Sequence, residues 1–447
     1  MDRLIIPLEG TLDAAVVLPG SKSMTNRALI LAALSEGTTV LEGVLDSEDT
    51  QVLFDALRQL GLEIEHRSNR QIRITGTRGI FPNRSAEIYV GNSGTTARFL
   101  TALLAFSDGK YRIYGKPRMH ERPIRDLIDA LQSLGAKICY DEKAGFPPLS
   151  FSGADQQSSV TVSGVKRAKS ATVSGSVSSQ FLSALLMAAP LAAQSGNVEL
   201  HVSGNLVSKP YIRMTLEMMK SFGVVAEAVG DFETFRFAAG TAYQTPETYR
   251  IEPDASGASY FFAAAAICGG SVTVLGLSRQ SLQGDVAFVD CLEKMGCEVQ
   301  RQHDSITVSR SVETPLRGIS VDMNSLSDTA QTLAVTALFA EGITEITNIE
   351  HVRFKETDRI ADLATELRRF GAAAEERPDG LRITPPQQLI PATVETYDDH
   401  RMAMSFSVAG LRLRGVVIKN PECTRKTFPD FFDLLDSLKK TQSEISG

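Results

Sequence analysis

Polar residues suited to anion chemistry recur where helices are expected to begin. Lys22-Ser23 with Arg27, Asn92-Ser93-Gly94, Ser178-Ser179-Gln180, Asp328 and His400-Arg401 open one set of predicted helices. A second set opens with Arg122-Pro123, Ser208-Lys209-Pro210-Tyr211, Lys355-Glu356-Thr357-Asp358-Arg359 and Lys426-Thr427. A helix N-terminus presents unpaired N–H groups and a partial positive charge, which favours bound oxyanions. Cations placed there oppose the dipole and cost stability unless an anion offsets them. Each motif alone has a plain reading. Ser and Asn are ordinary N-caps, 355–359 is a solvated helix start with local ion pairs, and Asp398-Asp399-His400-Arg401 is a surface charge cluster. Their recurrence at equivalent places argues for small anionic ligands instead. A phosphate-binding P-loop is excluded at Gly20-Ser21-Lys22-Ser23, because Ser21 replaces the Gly before Lys and the upstream Gly is missing.

These motifs sit on two interleaved repeats. In the first, an amphipathic helix ends in Gly and leads into a short alternating strand. It occurs at 53–65, 127–139, 216–227, 288–300 and 364–376, with a sixth helix at 430–440. Gly61, Gly135, Gly223, Gly296 and Gly371 fall where the residue after a helix commonly turns left-handed. In the second, small polar residues open an Ala/Leu-rich helix followed by a Gly turn and a strand. It occurs at 21–41, 92–114, 176–202, 254–275, 325–346 and 399–420. The unit is therefore about 75 residues of alternating helix and strand. Neither end carries a polar cap of the solenoid kind, so the six units are expected to close into two groups of three. The change of group is expected near 241–254, and the polar stretch 155–173 reads as an inserted hairpin. Ala263–Ala266 and 184–189 suit close helix packing.

The chain has 447 residues, 43% hydrophobic and 22% charged, which suits ordinary globular domains and excludes general disorder. Its 46 basic and 53 acidic residues give a net charge of −7, against a general nucleic-acid binder but not against a local basic pocket. No signal-peptide pattern or membrane-length apolar run is visible. The five cysteines are scattered, without CxxC spacing, as in reduced cytosolic proteins. The six histidines are isolated, so no metal site is expected.

LPGSKSMTNRALILAAL (18–34), GNSGTTARFL (91–100), PRMHERPI (117–124), GSVSSQFLSALLMAAPLA (175–192), LVSKPYI (206–212), KETDRI (355–360), DDHRMAMSFSVAG (398–410) and KTFPDFF (426–432) resemble one family across nearly the whole chain and in order. That family is the enolpyruvyl transferases, and within it the 5-enolpyruvylshikimate-3-phosphate synthases. The resemblance implies an α/β fold of two similar domains, each of three βαβαββ repeats, with an interdomain active-site cleft. The implied domains are 21–251, on the shikimate 3-phosphate side, and 1–20 plus 252–447, which completes the phosphoenolpyruvate site. It implies a cofactor-free cytoplasmic enzyme of the shikimate pathway, without nucleic-acid or membrane partners and expected to be a monomer. The reaction moves the enolpyruvyl group of phosphoenolpyruvate to the 5-hydroxyl of shikimate 3-phosphate and releases phosphate, through a tetrahedral intermediate.

By the same resemblance, shikimate 3-phosphate is bound by Lys22, Ser23, Arg27, Ser178, Ser179, Gln180, Ser208, Tyr211, Asp328, His351 and Lys355. Phosphoenolpyruvate is bound by Lys22, Asn92, Gly94, Arg122, Gln180, Glu356, Arg359, Arg401 and Lys426. Two anions call for several cations, and the planar fork of Arg pairs bidentately with carboxylate or phosphate. Asp328, Glu356 and Lys22 are assigned the catalytic roles, and closure of the site over both substrates is expected. A carboxylate among cations is ordinarily held ionised, so acid work by Glu356 requires desolvation. Three positions bear on the pattern. His351 stands where many family members have Asn, and Phe99 where many have Pro. Gly94 is the residue of the glyphosate-sensitive members, though Phe99 can displace its helix. Two other readings remain. One is the related transferase acting on UDP-N-acetylglucosamine, which usually carries a reactive Cys in the region of Gly115–Ile124, where this chain has none. The other is a catalytically silent anion-binding module, which has no need of both carboxylates.

Overall fold

The computed structural model describes residues 2–67, 70–152 and 169–439. Most of the 155–173 stretch, read from the sequence as a hairpin, lies outside the described residues; its end forms the strand Lys169–Ser174. The chain divides into two compact units, Gly20–Ile251 and Met1–Pro19 with Glu252–Gly447.

Both units are built from one motif. In the 85–152 segment, Ser85–Tyr89 runs parallel to Lys110–Tyr114 across the intervening helix Gly94–Leu104. Lys110–Tyr114 then pairs antiparallel with Leu149–Ser152, which pairs antiparallel with Ile138–Tyr140. The helix Arg125–Ser133 links the second and third strands. The same strand order recurs with Lys169–Ser174, Val198–Ser203, Thr234–Phe237 and Glu227–Val229. It recurs again with Ser320–Asp322, Thr344–Thr347, Gly380–Thr384 and Ala373–Arg377.

Distant segments complete the other sheets. Thr248–Arg250 supplies the first strand of the sheet formed by Glu36–Glu42, Gln71–Thr77 and Ile64–Arg67. Leu12–Val17 pairs parallel with Gly270–Leu275, and Arg3–Leu4 pairs antiparallel with Val417–Ile418. The last repeat thus has a three-stranded sheet closed by the N-terminal segment.

The two predicted classes of helix are both present, and burial separates them. Every residue of Ala255–Cys268 and of His400–Gly410 is buried. A helix buried on all sides needs small residues wherever neighbours approach closely, which accounts for the run Ala263–Ala266. The amphipathic helices Glu48–Gln59, Arg125–Ser133, Lys209–Ser221, Phe288–Lys294 and Arg359–Arg369 bury one stripe each. Gly61, Gly135, Gly223, Gly296 and Gly371, just past these helices, have φ of 91°, 102°, 79°, 104° and 89°. The expected left-handed turn is present at each, and a side chain there would be strained. Among the described residues, no helix is long and apolar enough to cross a membrane, and all five cysteines are free thiols.

Candidate active site

In the Gly20–Ile251 unit the predicted site residues lie at or near helix starts. Ser21 caps Lys22–Leu34, so Lys22 occupies its first position. Lys22 Nζ lies 3.5 Å from Asp49 Oδ2, and both side chains are largely buried. Arg27, one turn on, is 2% exposed. It donates to the Ser23 carbonyl at 3.0 Å, Thr215 Oγ1 at 2.8 Å and Ser183 Oγ at 3.0 Å. Its guanidinium stands 5.2 Å from the Phe99 ring centroid and 5.8 Å from that of Tyr211. No carboxylate is within ion-pair distance of it among the described residues, and burial lowers its pKa to about 10. Hydroxyls and aromatic faces therefore hold this cation in place and leave its charge uncompensated for an anion.

Ser93 caps the helix that begins at Gly94. Arg122 donates to the Asn92 carbonyl at 3.1 Å, and Asn92 Oδ1 lies 3.4 Å from the same nitrogen. A Cβ on Gly94 would stand 2.3 Å from Arg122 Nη2, so the missing side chain is what admits the guanidinium. Arg122 itself follows a short turn, Pro117–Glu121; the helix proper starts later, at Arg125, than the sequence suggested. Ser178 caps Ser179–Ala192 by accepting from the Gln180 N–H, and Gln180 Nε2 reaches Thr95 Oγ1 at 3.2 Å. Ser208 precedes Lys209–Ser221 in a left-handed conformation, φ 53°, and Tyr211 lies in the first turn of that helix.

In the other unit one network joins the remaining candidates. Asp328 lies in the turn Asn324–Thr329, ahead of Ala330–Ala337. Its carboxylate accepts from Arg401 at 2.8 Å and Arg359 at 3.3 Å, with Lys355 Nζ at 3.7 Å. Glu356 bridges Arg359 and Lys426, each at 2.8 Å. Arg359 is 3% exposed, far from a solvated helix start. Burial acts to lower its pKa, but Asp399, Glu356 and Asp328 outweigh that and raise it above the ordinary Arg value. His351 is buried, with Nε2 2.9 Å from Ser327 Oγ. Burial first, and the nearby Lys355 cation second, lower its pKa to about 4. It is a neutral imidazole at neutral pH.

The structure therefore joins Asp328, Lys355, Glu356, Arg359, Arg401 and Lys426 directly, and sets His351 beside them. Asn92, Gly94 and Arg122 form a second group, Arg27 packs by Ser23 and Tyr211, and Lys22 pairs with Asp49. Ser179 and Ser208 are buried at their helix starts.

Several partners escaped the sequence reading. Asp399 is fully buried and binds Arg359 Nε at 2.7 Å while capping the His400–Gly410 helix, so the DDHR motif is not a surface cluster. Its position just before a helix was a usable capping signal. Asp49, Thr95, Ser183 and Thr215 had no local signal. Asp285 is also buried; desolvation first and the charge of Asp328 second push its carboxyl up to about 6.

Residues 8–435 match the family described as EPSP synthase (3-phosphoshikimate 1-carboxyvinyltransferase). The chain belongs to the EPSP synthase family. It is 47% identical over 436 residues to a 3-phosphoshikimate 1-carboxyvinyltransferase of Ralstonia pickettii, covering 97% of this chain and 98% of that one. Against the enzyme of the same name from Burkholderia vietnamiensis, identity is 48% over 445 residues, covering 98% and 100%. A solved EPSP synthase from Acinetobacter baumannii superposes with a TM-score of 0.80 at 26% identity and covers 97% of each chain. The chain is thus a transferase of this family, with the family's α/β fold, and neither of the alternative readings is favoured.

Proposed function

We propose that this chain transfers the enolpyruvyl group of phosphoenolpyruvate to the 5-hydroxyl of shikimate 3-phosphate, with Asp328, Glu356 and Lys22 carrying the chemistry. The observation that carries the assignment is the Asp328–Arg401–Arg359–Glu356–Lys426 network, in which Asp328 is held by three cations, Lys355 included, and Glu356 by two. Asp328 takes the proton of the 5-hydroxyl as its oxygen attacks C2 of phosphoenolpyruvate. Glu356 delivers a proton to C3, giving the tetrahedral intermediate. Loss of a proton from that same carbon back to Glu356 then expels phosphate, which leaves with the proton that Asp328 took from the hydroxyl while Lys22 offsets its charge. Arg122, Asn92, Gly94 and Gln180, with Arg359, Arg401 and Lys426, bind phosphoenolpyruvate. Ser23, Arg27, Ser178, Ser179, Ser208, Tyr211, His351 and Lys355 bind shikimate 3-phosphate. The enzyme works in the cytoplasm as a monomer.

Asp328→Ala tests the central role. Loss of a positioned general base is expected to lower kcat by about 10²–10⁴-fold, measured as phosphate release at saturating substrates. Full turnover by a folded variant would remove Asp328 from the mechanism.

A further inference from the structure

Three non-glycine residues take left-handed backbone conformations around the His400–Gly410 helix start: Tyr397 at φ 54°, Asp398 at 56° and Asn420 at 45°. Asn and Asp tolerate this region, but a bulky side chain such as Tyr adopts it only where its surroundings enforce it. The bend is tied down at both ends by one helix, Arg359–Arg369. At its start, Arg359 Nε donates to Asp399 Oδ2 at 2.7 Å. Seven residues along the same helix, the fully buried Glu366 accepts from the Tyr397 hydroxyl at 2.8 Å and from the Glu395 N–H at 3.2 Å. Arg369 Nε pairs with the same carboxylate at 3.2 Å. The attachment points are about 10 Å apart along the helix axis, so they fix the direction of the intervening chain as well as its position.

What the bend aims is the active-site network. Asp399, the next residue, accepts from the Arg401 N–H at 2.9 Å, and Arg401 reaches Asp328 at 2.8 Å. The third left-handed residue belongs to the same device. Asn420 Nδ2 donates to Asp398 Oδ1 at 3.2 Å and immediately precedes the turn Pro421–Lys426, which ends in the Glu356-bound Lys426.

We propose that Tyr397 and Glu366 are positioning residues: their hydrogen bond holds the left-handed bend that aims Arg401, and through Asn420 Lys426, at phosphoenolpyruvate. This rests on the reading of Arg401 and Lys426 as phosphoenolpyruvate ligands. Neither Tyr397 nor Glu366 touches substrate in this account.

The test compares Tyr397→Phe, which removes only the hydroxyl, with Tyr397→Gly, which loses the anchor but takes a left-handed φ without strain. Hydrogen–deuterium exchange without ligand is expected to quicken over 397–402 in the Phe variant, with the Lys22–Leu34 helix unchanged. Steady-state kinetics is expected to show KM for phosphoenolpyruvate raised roughly fivefold to tenfold, while kcat and KM for shikimate 3-phosphate stay within about twofold. The Gly variant should bind phosphoenolpyruvate better than the Phe variant, since the strain is gone. Unchanged exchange in the Phe variant, equal rises in both KM values, or a Gly variant weaker than Phe would each overturn the proposal. Because exchange is read without substrate, absence of turnover in the parent protein would sink the functional reading while the bend is still tested.

Discussion

Each carboxylate of the network is held by a cation, whereas the buried Arg27 has no carboxylate within ion-pair distance among the described residues. Asp328, Glu356 and Asp399 are each held by arginine or lysine at 2.7–3.7 Å. Arg27 is held instead by Thr215, Ser183 and aromatic rings. His351 adds a neutral donor or acceptor to this field in place of a third kind of charge. Its pKa is about 6.5 in an unfolded chain and about 4 here, because burial and Lys355 disfavour the imidazolium. Between those values the unfolded chain binds more protons, so this group makes stability fall as pH drops from 6.5 toward 4. Above 6.5 it contributes nothing to the pH dependence. His351→Asn should therefore be less acid-sensitive than the parent over that window, by at most about 1.4 kcal/mol per pH unit. Paired denaturant titrations at pH 7 and pH 4.5 check this, and the comparison cancels the opposite tendency of Asp285. Parallel loss of stability in the two proteins would show that His351 does not titrate as described. At this scale the sequence carried the residue types but not their pairings. Lys22–Asp49 and His351–Ser327 are tertiary contacts between elements, which no spacing encodes.

Helix ends do most of the positioning. The five left-handed glycines were legible because a helix stop with this chemistry is a local event, written in a few adjacent residues. Strand partners were not. Leu12–Val17 beside Gly270–Leu275, and Thr248–Arg250 beside Glu36–Glu42, are pairings across more than two hundred residues, and alternation fixes a strand's faces but not its neighbour. One helix end is closed by a side chain that local pattern also hid. Arg310, 8% exposed, donates to the carbonyls of Ala266 and Ile267 at the end of Ala255–Cys268, and to those of Ser311 and Thr314. Those last carbonyls have no partner within their own helix. Arg310→Met should cost roughly 2–3 kcal/mol of unfolding free energy, with KM for either substrate unchanged. Chemical denaturation alongside steady-state kinetics measures both. A stability loss under about 0.5 kcal/mol would mean water replaces the arginine at these carbonyls.

For the molecule as a whole, a net charge of −7 coexists with the seven cations of the proposed site, Lys22, Arg27, Arg122, Lys355, Arg359, Arg401 and Lys426. The repeat places equivalent helix starts in each unit. Family membership fixes the class of reaction; the acceptor is the claim most exposed to direct test. Phosphate release from phosphoenolpyruvate should be followed with shikimate 3-phosphate and, separately, with UDP-N-acetylglucosamine. Release of one phosphate per enolpyruvyl transferred with shikimate 3-phosphate, and none with the nucleotide sugar, is the predicted result. Release with the nucleotide sugar, or with neither acceptor, would contradict it.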